Sequence, residues 1–372
     1  MNDQTTRYST GILPAQMIRQ AIAAGELASD DAALPIDEAQ VQPASLDLRL
    51  GRTAHRIRAS FLPGRETTVE SKIERLEMHR LDLTGGAVLE QGCVYVVPLL
   101  ERLALKKRMF ATANPKSSTG RLDVFVRILT DNGAEFDQIA EGYRGRLYAE
   151  ITPRTFSIRV RTGSRLAQLR LRRGSPVSSD DELRRLHQTV GLVDAASGEP
   201  VIKNGLAFSV DLAGGEDGFV GYKARHHCPV IDVDRPAHYE KWDFWEPVRA
   251  DRNRSMILTP DDFYILASRE AVSIPVNYAA EMLAYDTLVG EFRVHYAGFF
   301  DPGFGLASLG ASGTRAVLEV RSHEVPFLLE DGQIVGRLVF ERLMETPDKL
   351  YGQGIGSHYQ RQGLQLGKQF RP

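Results

Sequence analysis

The feature that most constrains this chain is that one strand-rich pattern is written in it twice. Val88-Leu89-Glu90-Gln91-Gly92-Cys93-Val94-Tyr95 resembles Ile257-Leu258-Thr259-Pro260-Asp261-Asp262-Phe263-Tyr264, and the two tyrosines stand 169 residues apart (264 − 95). The same offset pairs Glu101 with Glu270, Ala111 with Ala280, Arg146 with Arg315, Glu150 with Glu319 and Gly163 with Gly332. One register carrying apolar, acidic and glycine positions together is what a duplicated module leaves behind. Ser45-Leu46-Asp47-Leu48 also recurs, as Ser209-Val210-Asp211-Leu212, and is read as the same segment of each copy. With 372 residues the chain is long enough to give each copy its own core.

The local pattern within each copy points to a mainly β fold with a few short helices. Cys93 to Val97, Val124 to Leu129 and Phe156 to Val160 are short strand-like runs, separated by Gly, Pro, Asn or Asp clusters. Such spacing suits an antiparallel sandwich or barrel. One helix is expected over 13–27, with Pro14 in its first turn, an apolar stripe of Met17, Ile18, Ala21 and Ile22, and Gly25 at its end. Around the middle, Gly174-Ser175-Pro176 is followed by Ser179 with Glu182 three residues on, the signature of a helix start. The expected division is a first β module over 1–172, a linker with a short helix over 173–200, and a second module over 201–372.

Composition removes several function classes. A net charge of −2 gives no general attraction to nucleic acid or to an anionic membrane, so any phosphate must be held by a local site. Two cysteines, Cys93 and Cys228, do not make a disulfide framework. No apolar run approaches the ~18 residues of a membrane span, and the first residues lack the apolar core of a signal peptide. A cytoplasmic location, with neither membrane nor nucleic acid as partner, is expected. There is no P-loop. His238-Tyr239-Glu240 is not followed by Pro-Cys-x-x-Cys, so the zinc-deaminase signature is absent. His226-His227-Cys228 is too compact to cage a metal by itself.

Two segments of the first copy carry chemistry. Lys116-Ser117-Ser118-Thr119-Gly120-Arg121 lies between an extended run ending at Pro115 and a strand from Leu122. A planar guanidinium, a point-charge ammonium and compact hydroxyl donors can gather around phosphate oxygens. A Ser-Gly turn flanked by charges is usually just a turn. The second copy sharpens the reading. At the 169 offset, Lys116, Ser117, Ser118 and Arg121 become Tyr285, Asp286, Thr287 and Gly290. Both cations are lost and a carboxylate is gained, so that copy should repel phosphate there. The other segment is Gly142-Tyr143-Arg144-Gly145 and the strand after it. Alternation puts Tyr148 and Glu150 on one face, Ala149 and Ile151 on the other. A glutamate in an apolar strand is costly unless paired or solvated. It is either a general acid–base or an edge residue bridged to Arg121 or Arg146. Glu319 holds the same place in the second copy, so position alone does not decide. The glycine-rich tail over 351–363 is either a frayed end or a lid ordering over a ligand.

In this order the motifs resemble those of the dCTP deaminases, a family grouped with the dUTPases. Gln42-Pro43-Ala44-Ser45-Leu46-Asp47-Leu48-Arg49-Leu50-Gly51 is similar to the family's N-terminal signature, and Lys116 to Arg121 to its Arg/Lys-Ser-Ser-x-x-Arg motif. Gly142 to Gly145 with Glu150 resembles the strand of the catalytic glutamate, and Gly163 with Gln168 the turn beyond it. Tyr351, His358 and Gln362 match the spacing of the family's lid. The resemblance implies two copies of a dUTPase-like distorted β-barrel, a β-clip related to the jelly roll. It implies a homo-oligomer, a homotrimer of six modules being favoured, with sites formed between neighbouring modules. It implies zinc-independent hydrolysis of dCTP to dUTP and ammonia, feeding dUMP and dTTP synthesis, with Mg²⁺ entering on the triphosphate and no direct protein ligand to the metal. dTTP would be an inhibitor.

By the same resemblance Glu150 would move the proton, with Ser117 and Arg121 holding water, glutamate and substrate. Lys116, Ser118, Asp137, Gln168, Tyr351, His358 and Gln362 would bind the nucleotide. The sequence departs from the family in several places. Asp-Pro-Gly becomes Asp137-Gln138-Ile139-Ala140-Glu141-Gly142, in which Asp137 or Ala140 takes the aspartate's place. Glu135 and Phe136 stand where an arginine is common, and His358 where a lysine is. A dUTPase or bifunctional deaminase–pyrophosphatase is the alternative. A non-catalytic nucleotide-binding regulator of the same fold is a further one.

Overall fold

The computed structural model describes residues 7–214, 217–283, 293–294, 298–306, 313–322, 325–352 and 364–372. They form two compact units. One comprises 1–176, 229–236 and 343–349, and the other 177–228, 237–342 and 350–372.

The first unit is built on an antiparallel sheet in which Val94–Ala104, Arg144–Pro153 and Val124–Thr130 are neighbours, with Thr53–Ile57 and Glu77–Asp82 beyond and Leu27–Ser29 also on Val94–Ala104. Val124–Thr130 is mostly β-branched or aromatic, through Val124, Phe125, Val126, Ile128 and Thr130, as suits a half-buried pleated surface. In Arg144–Pro153, Ala149 and Ile151 lie opposite Ile128 and Val126, while Tyr148 and Glu150 lie opposite Leu129 and Arg127. That second face is covered by the helix Val69–Leu76, whose Val69 and Ile73 pack with Ile57, Val96, Leu129 and Tyr148. A second sheet places Gly11–Ile12, Ala167–Arg173, Met109–Pro115 and Gln138–Ile139 side by side, with Leu46–Leu48 pairing the far end of Ala167–Arg173.

Later parts of the chain complete this unit. Ile231–Asp232 pairs in parallel with Ile158–Val160, beside Ala87–Leu89. Leu343 bridges Ile12, and the Met344 N–H donates to the Ile12 carbonyl at 2.9 Å. The expected boundaries therefore differ from the observed units: 229–236 and 343–349 count with the first. The 173–200 stretch is not a separate linker either, because its residues from 177 belong to the second unit, where Leu183 and Leu192 are fully buried. Two-residue strands are too short to show periodicity, so no sequence pattern marks these joins.

The helix expected over 13–27 spans Ala15–Ala23, with Pro14 just before it and Gly25 at φ 72° after it. At the start of the second unit, Ser179 Oγ accepts the Glu182 N–H at 3.2 Å and starts the helix Asp180–Val190.

The second unit repeats the plan with Phe263–Val272 beside Thr314–Arg321, and Ile334–Arg342 between Leu206–Ser209 and Tyr278–Leu283. The 169 offset holds for its central strands. It fails for the segment read as Ser45-Leu46-Asp47-Leu48 against Ser209-Val210-Asp211-Leu212. Leu50 bridges Leu99, and Val210 bridges Ser268. The Gly51 N–H donates to Pro98 O, and the Asp211 N–H to Ala267 O. Leu50 thus corresponds to Val210 and Gly51 to Asp211, an offset of 160 (210 − 50), four short of the sequence match (209 − 45). Asp47 lies opposite Gln168, whereas the equivalent Ala207 lies opposite Arg337.

Candidate active site

Glu150 sits mid-strand and is 1% exposed. Its partner is neither Arg121 nor Arg146. Arg127, directly opposite on Val124–Thr130, donates from Nη2 at 2.6 Å and from Nε at 3.2 Å, both to Oε1. The guanidinium is held in turn. It lies 3.6 Å from the centroid of Phe136 and 4.8 Å from that of Phe125, and Nη2 also donates to Ser60 Oγ at 3.0 Å. Glu150 Oε2 is fully buried and has no hydrogen-bond partner. A buried acceptor left so costs about 1–3 kcal/mol, which a bound water or substrate N–H removes.

The neighbours of the carboxyl are polar but neutral or paired. Burial pushes the Tyr148 phenol far above its ordinary range, so it remains a neutral donor, and it reaches Glu70 Oε1 at 3.3 Å. Arg146 bridges Asp30 at 2.8 Å and Glu70 at 3.1 Å.

The phosphate-type motif forms a single turn, Ser117–Gly120, between the two sheets. The Lys116 N–H and the Thr119 hydroxyl both donate to Leu166 O, at 2.9 Å each, which pins the turn to the adjacent loop. Lys116 Nζ lies 2.5 Å from Asp47 Oδ1, and Arg165 Nη1 lies 3.9 Å from the other oxygen. Asp47 is the cross-strand neighbour of Gln168, whose Oε1 accepts from Ser45 Oγ at 3.3 Å. Lys116, Asp47, Arg165 and Gln168 thus form one polar cluster. Among the described residues neither the Ser117 nor the Ser118 hydroxyl makes a hydrogen bond, and Arg121 is 3% exposed. Within one chain, Glu150 makes its polar contacts with Arg127 and none with this turn.

Asp137 occupies the left-handed region at φ 63°, and its Oδ1 accepts the Ile128 N–H at 2.7 Å. Asp tolerates that conformation better than most residues, so its carboxylate closes the hairpin that carries Arg127. The Tyr351 N–H donates to Pro302 O at 2.9 Å, and its ring lies 5.6 Å from Phe304 in the second unit. His358 and Gln362, like Tyr285, Asp286, Thr287 and Gly290 of the second copy, lie outside the described residues.

Sequence reasoning missed Arg127. Its signal was an arginine at the centre of Val124-Phe125-Val126-Arg127-Ile128, a mid-strand charge as conspicuous as Glu150. Pairing the two needed the hairpin register, which no local pattern supplies.

Residues 9–175 match the model of the N-terminal domain of 2′-deoxycytidine 5′-triphosphate deaminase, and residues 179–370 match the model of its C-terminal domain. A crystal structure of 2′-deoxycytidine 5′-triphosphate deaminase from Agrobacterium tumefaciens is 57% identical, with a TM-score of 0.86 over 90% of this chain and 100% of that one. A "dCTP deaminase, dUMP-forming" of Beutenbergia cavernae is 31% identical over 141 residues, 37% of this chain and 67% of its own. A "dCTP deaminase" of Haloarcula marismortui is 30% identical over 197 residues, 52% of this chain and 93% of its own.

Proposed function

The chain belongs to the 2′-deoxycytidine 5′-triphosphate deaminase family and is a hydrolytic deaminase, and from that premise we propose that its first unit converts dCTP and water to dUTP and ammonia at Glu150. The carrying observation is the buried, partnerless Oε2 of a glutamate whose other oxygen is bound by Arg127. In this reading Glu150 Oε2 takes a proton from the water that adds to C4 and returns it to N3. The carboxylate then carries the proton of the C4 hydroxyl to the amino nitrogen, and collapse to the C4 carbonyl breaks the C4–N bond and expels ammonia. One carboxyl group serves both transfers.

Lys116 and Ser118 bind phosphates in this reading, while Ser117 and Arg121 hold the water and the base. Because that turn does not touch Glu150 within one chain, the site is composite, with turn and glutamate supplied by neighbouring copies of a homotrimer. Asp137, Gln168 and the tail residues Tyr351, His358 and Gln362 complete the nucleotide contacts. Mg²⁺ travels with the triphosphate as part of the substrate, and dTTP competes for the same contacts. The soluble nucleotide pool places the enzyme in the cytoplasm; among the described residues no helix is long and apolar enough to cross a membrane.

A second reading, deamination followed by pyrophosphate loss to dUMP, is favoured by the "dUMP-forming" names of several relatives. One experiment addresses both. Ammonia release and nucleotide products are measured with Mg·dCTP on wild type, Glu150→Gln and Glu319→Gln. Turnover should fall at least ~10²-fold in Glu150→Gln and stay near wild type in Glu319→Gln. The wild-type product should be dUTP; dUMP with pyrophosphate would establish the second reading. Undiminished turnover in Glu150→Gln would remove the assignment.

A further inference from the structure

We infer that Arg127 is a positioning residue for this reaction, holding Glu150 Oε1 so that Oε2 alone exchanges the proton; the inference rests on the reading of Glu150 as general acid–base. The bond pattern is the first argument. A structural arginine–carboxylate pair commonly spreads its donors over both oxygens in a fork. Here Nη2 at 2.6 Å and Nε at 3.2 Å converge on Oε1. The other oxygen stays buried and open.

The second argument is how firmly the guanidinium is held. Phe136 comes from the hairpin loop, Phe125 from the same strand and Ser60 from a different loop, so three separate parts of the unit fix its plane and rotation. Arginine's planar fork makes such fixing effective, where lysine would keep only the charge. The loop that supplies Phe136 is closed by Asp137 through the Ile128 N–H, one residue beyond Arg127.

The third argument comes from the duplicate. Glu319 is also buried, at 4% exposed, but the strand beside it runs at an offset of 168, Val294 lying opposite Val320 as Val126 lies opposite Ile151, so Arg127 corresponds in the sequence to His295. A buried glutamate of this architecture does not require an arginine there. The arginine is lost in the copy that has also lost both cations of the phosphate turn.

The test is steady-state kinetics of ammonia release from Mg·dCTP on the full chain, with Arg127→Lys, Arg127→Met, Phe136→Leu and Glu150→Gln. Arg127→Lys should lower kcat about tenfold and Arg127→Met about a hundredfold, part of the ~10²–10⁴-fold that a positioned acid–base group supplies. KM should stay within about twofold in both, because the contact acts on the base and not on the nucleotide. Arg127→Met strands a buried charge and can fail to fold. Phe136→Leu therefore provides a milder variant that leaves the carboxylate's bonds in place and loosens the guanidinium, with an expected kcat loss of a few-fold at unchanged KM. Wild-type kcat in Arg127→Lys and Phe136→Leu, with Glu150→Gln inactive, would overturn the role of Arg127 and leave Glu150 standing. A raised KM at unchanged kcat would also overturn it, making Arg127 a substrate contact. Full turnover in Glu150→Gln would overturn both assignments.

Discussion

Lys116 and Asp47 show how one ion pair can hold a binding group ready. The ammonium lies 2.5 Å from a carboxylate whose side chain is 4% exposed, and that carboxylate is itself flanked by Arg165. Asp47 therefore fixes where the lysine points, and Arg165 is itself bridged to Asp37 at 3.1 Å, so the two cations and two carboxylates balance in charge. If Lys116 binds phosphate as proposed, an incoming triphosphate would meet an oriented cation whose side-chain freedom is already spent. Lys116→Met should raise KM for Mg·dCTP about 10- to 100-fold, the worth of one charge-assisted hydrogen bond of ~1.5–3 kcal/mol. It should leave kcat nearly unchanged, because that contact is the same in ground and transition states. Initial-rate kinetics at saturating and limiting dCTP separate the two parameters.

Among the elements, the strand Ile231–Asp232 has an electrostatic fastening. Arg161 Nη2 lies 2.5 Å from Asp232 and Nη1 2.6 Å from Asp234, and Arg235 lies 3.5 Å from Asp232. Burial pushes the Asp232 carboxyl up, but the bonds from Arg161 and the Asp234 N–H, with the charges of Arg161 and Arg235, outweigh it and hold it below the ordinary aspartate value. A depressed folded value means stability that is present above the unfolded aspartate pKa of ~3.9 and lost as pH falls through the folded one. The amides of Ile231 and Val233, bonded to Ser157 O at 3.0 Å and Arg159 O at 3.2 Å, report on it. Their hydrogen exchange, corrected for intrinsic rate, should be constant from about pH 7 to pH 5 and rise below about pH 4. Asp232→Asn should speed it roughly 10- to 100-fold near neutrality and remove the acid rise. This strand also marks the limit of what was legible beforehand. The face shared by Tyr148 and Glu150 followed from alternation, and the helix at Ala15–Ala23 from its apolar stripe and flanking Pro14 and Gly25. The partner of Glu150 did not, because it depends on a hairpin register set by tertiary packing. Nor did the true alignment of Asp47 with Ala207. A four-residue likeness suggested Asp211, and only the hydrogen bonds to Pro98 and Ala267 reveal the slip.

On the scale of the whole molecule, the two units share a plan and differ in chemistry, and the first is not made from one continuous stretch of chain. If turn and glutamate come from neighbouring copies, two inactive variants should rescue one another. Glu150→Gln and Arg121→Met, each inactive alone, should regain about a quarter of wild-type activity when co-expressed in equal amounts. Random assembly of a ring gives one site in four with both intact halves. Gel filtration with ammonia assays would check both the assembly and the rescue, and zero recovery from mixed oligomers would place turn and glutamate on the same chain. The bridge between Ile12 and Leu343 bears on how such a chain is made. The two residues are separated by 331 positions (343 − 12). At ~5–20 residues per second, a ribosome that has released Ile12 needs roughly 17–66 s more to deliver its partner. Most of the first unit is thus translated early, while the partner of Ile12 emerges only near the end of synthesis. A chain truncated before residue 343 would lack the partner that bridges Ile12 in the first unit.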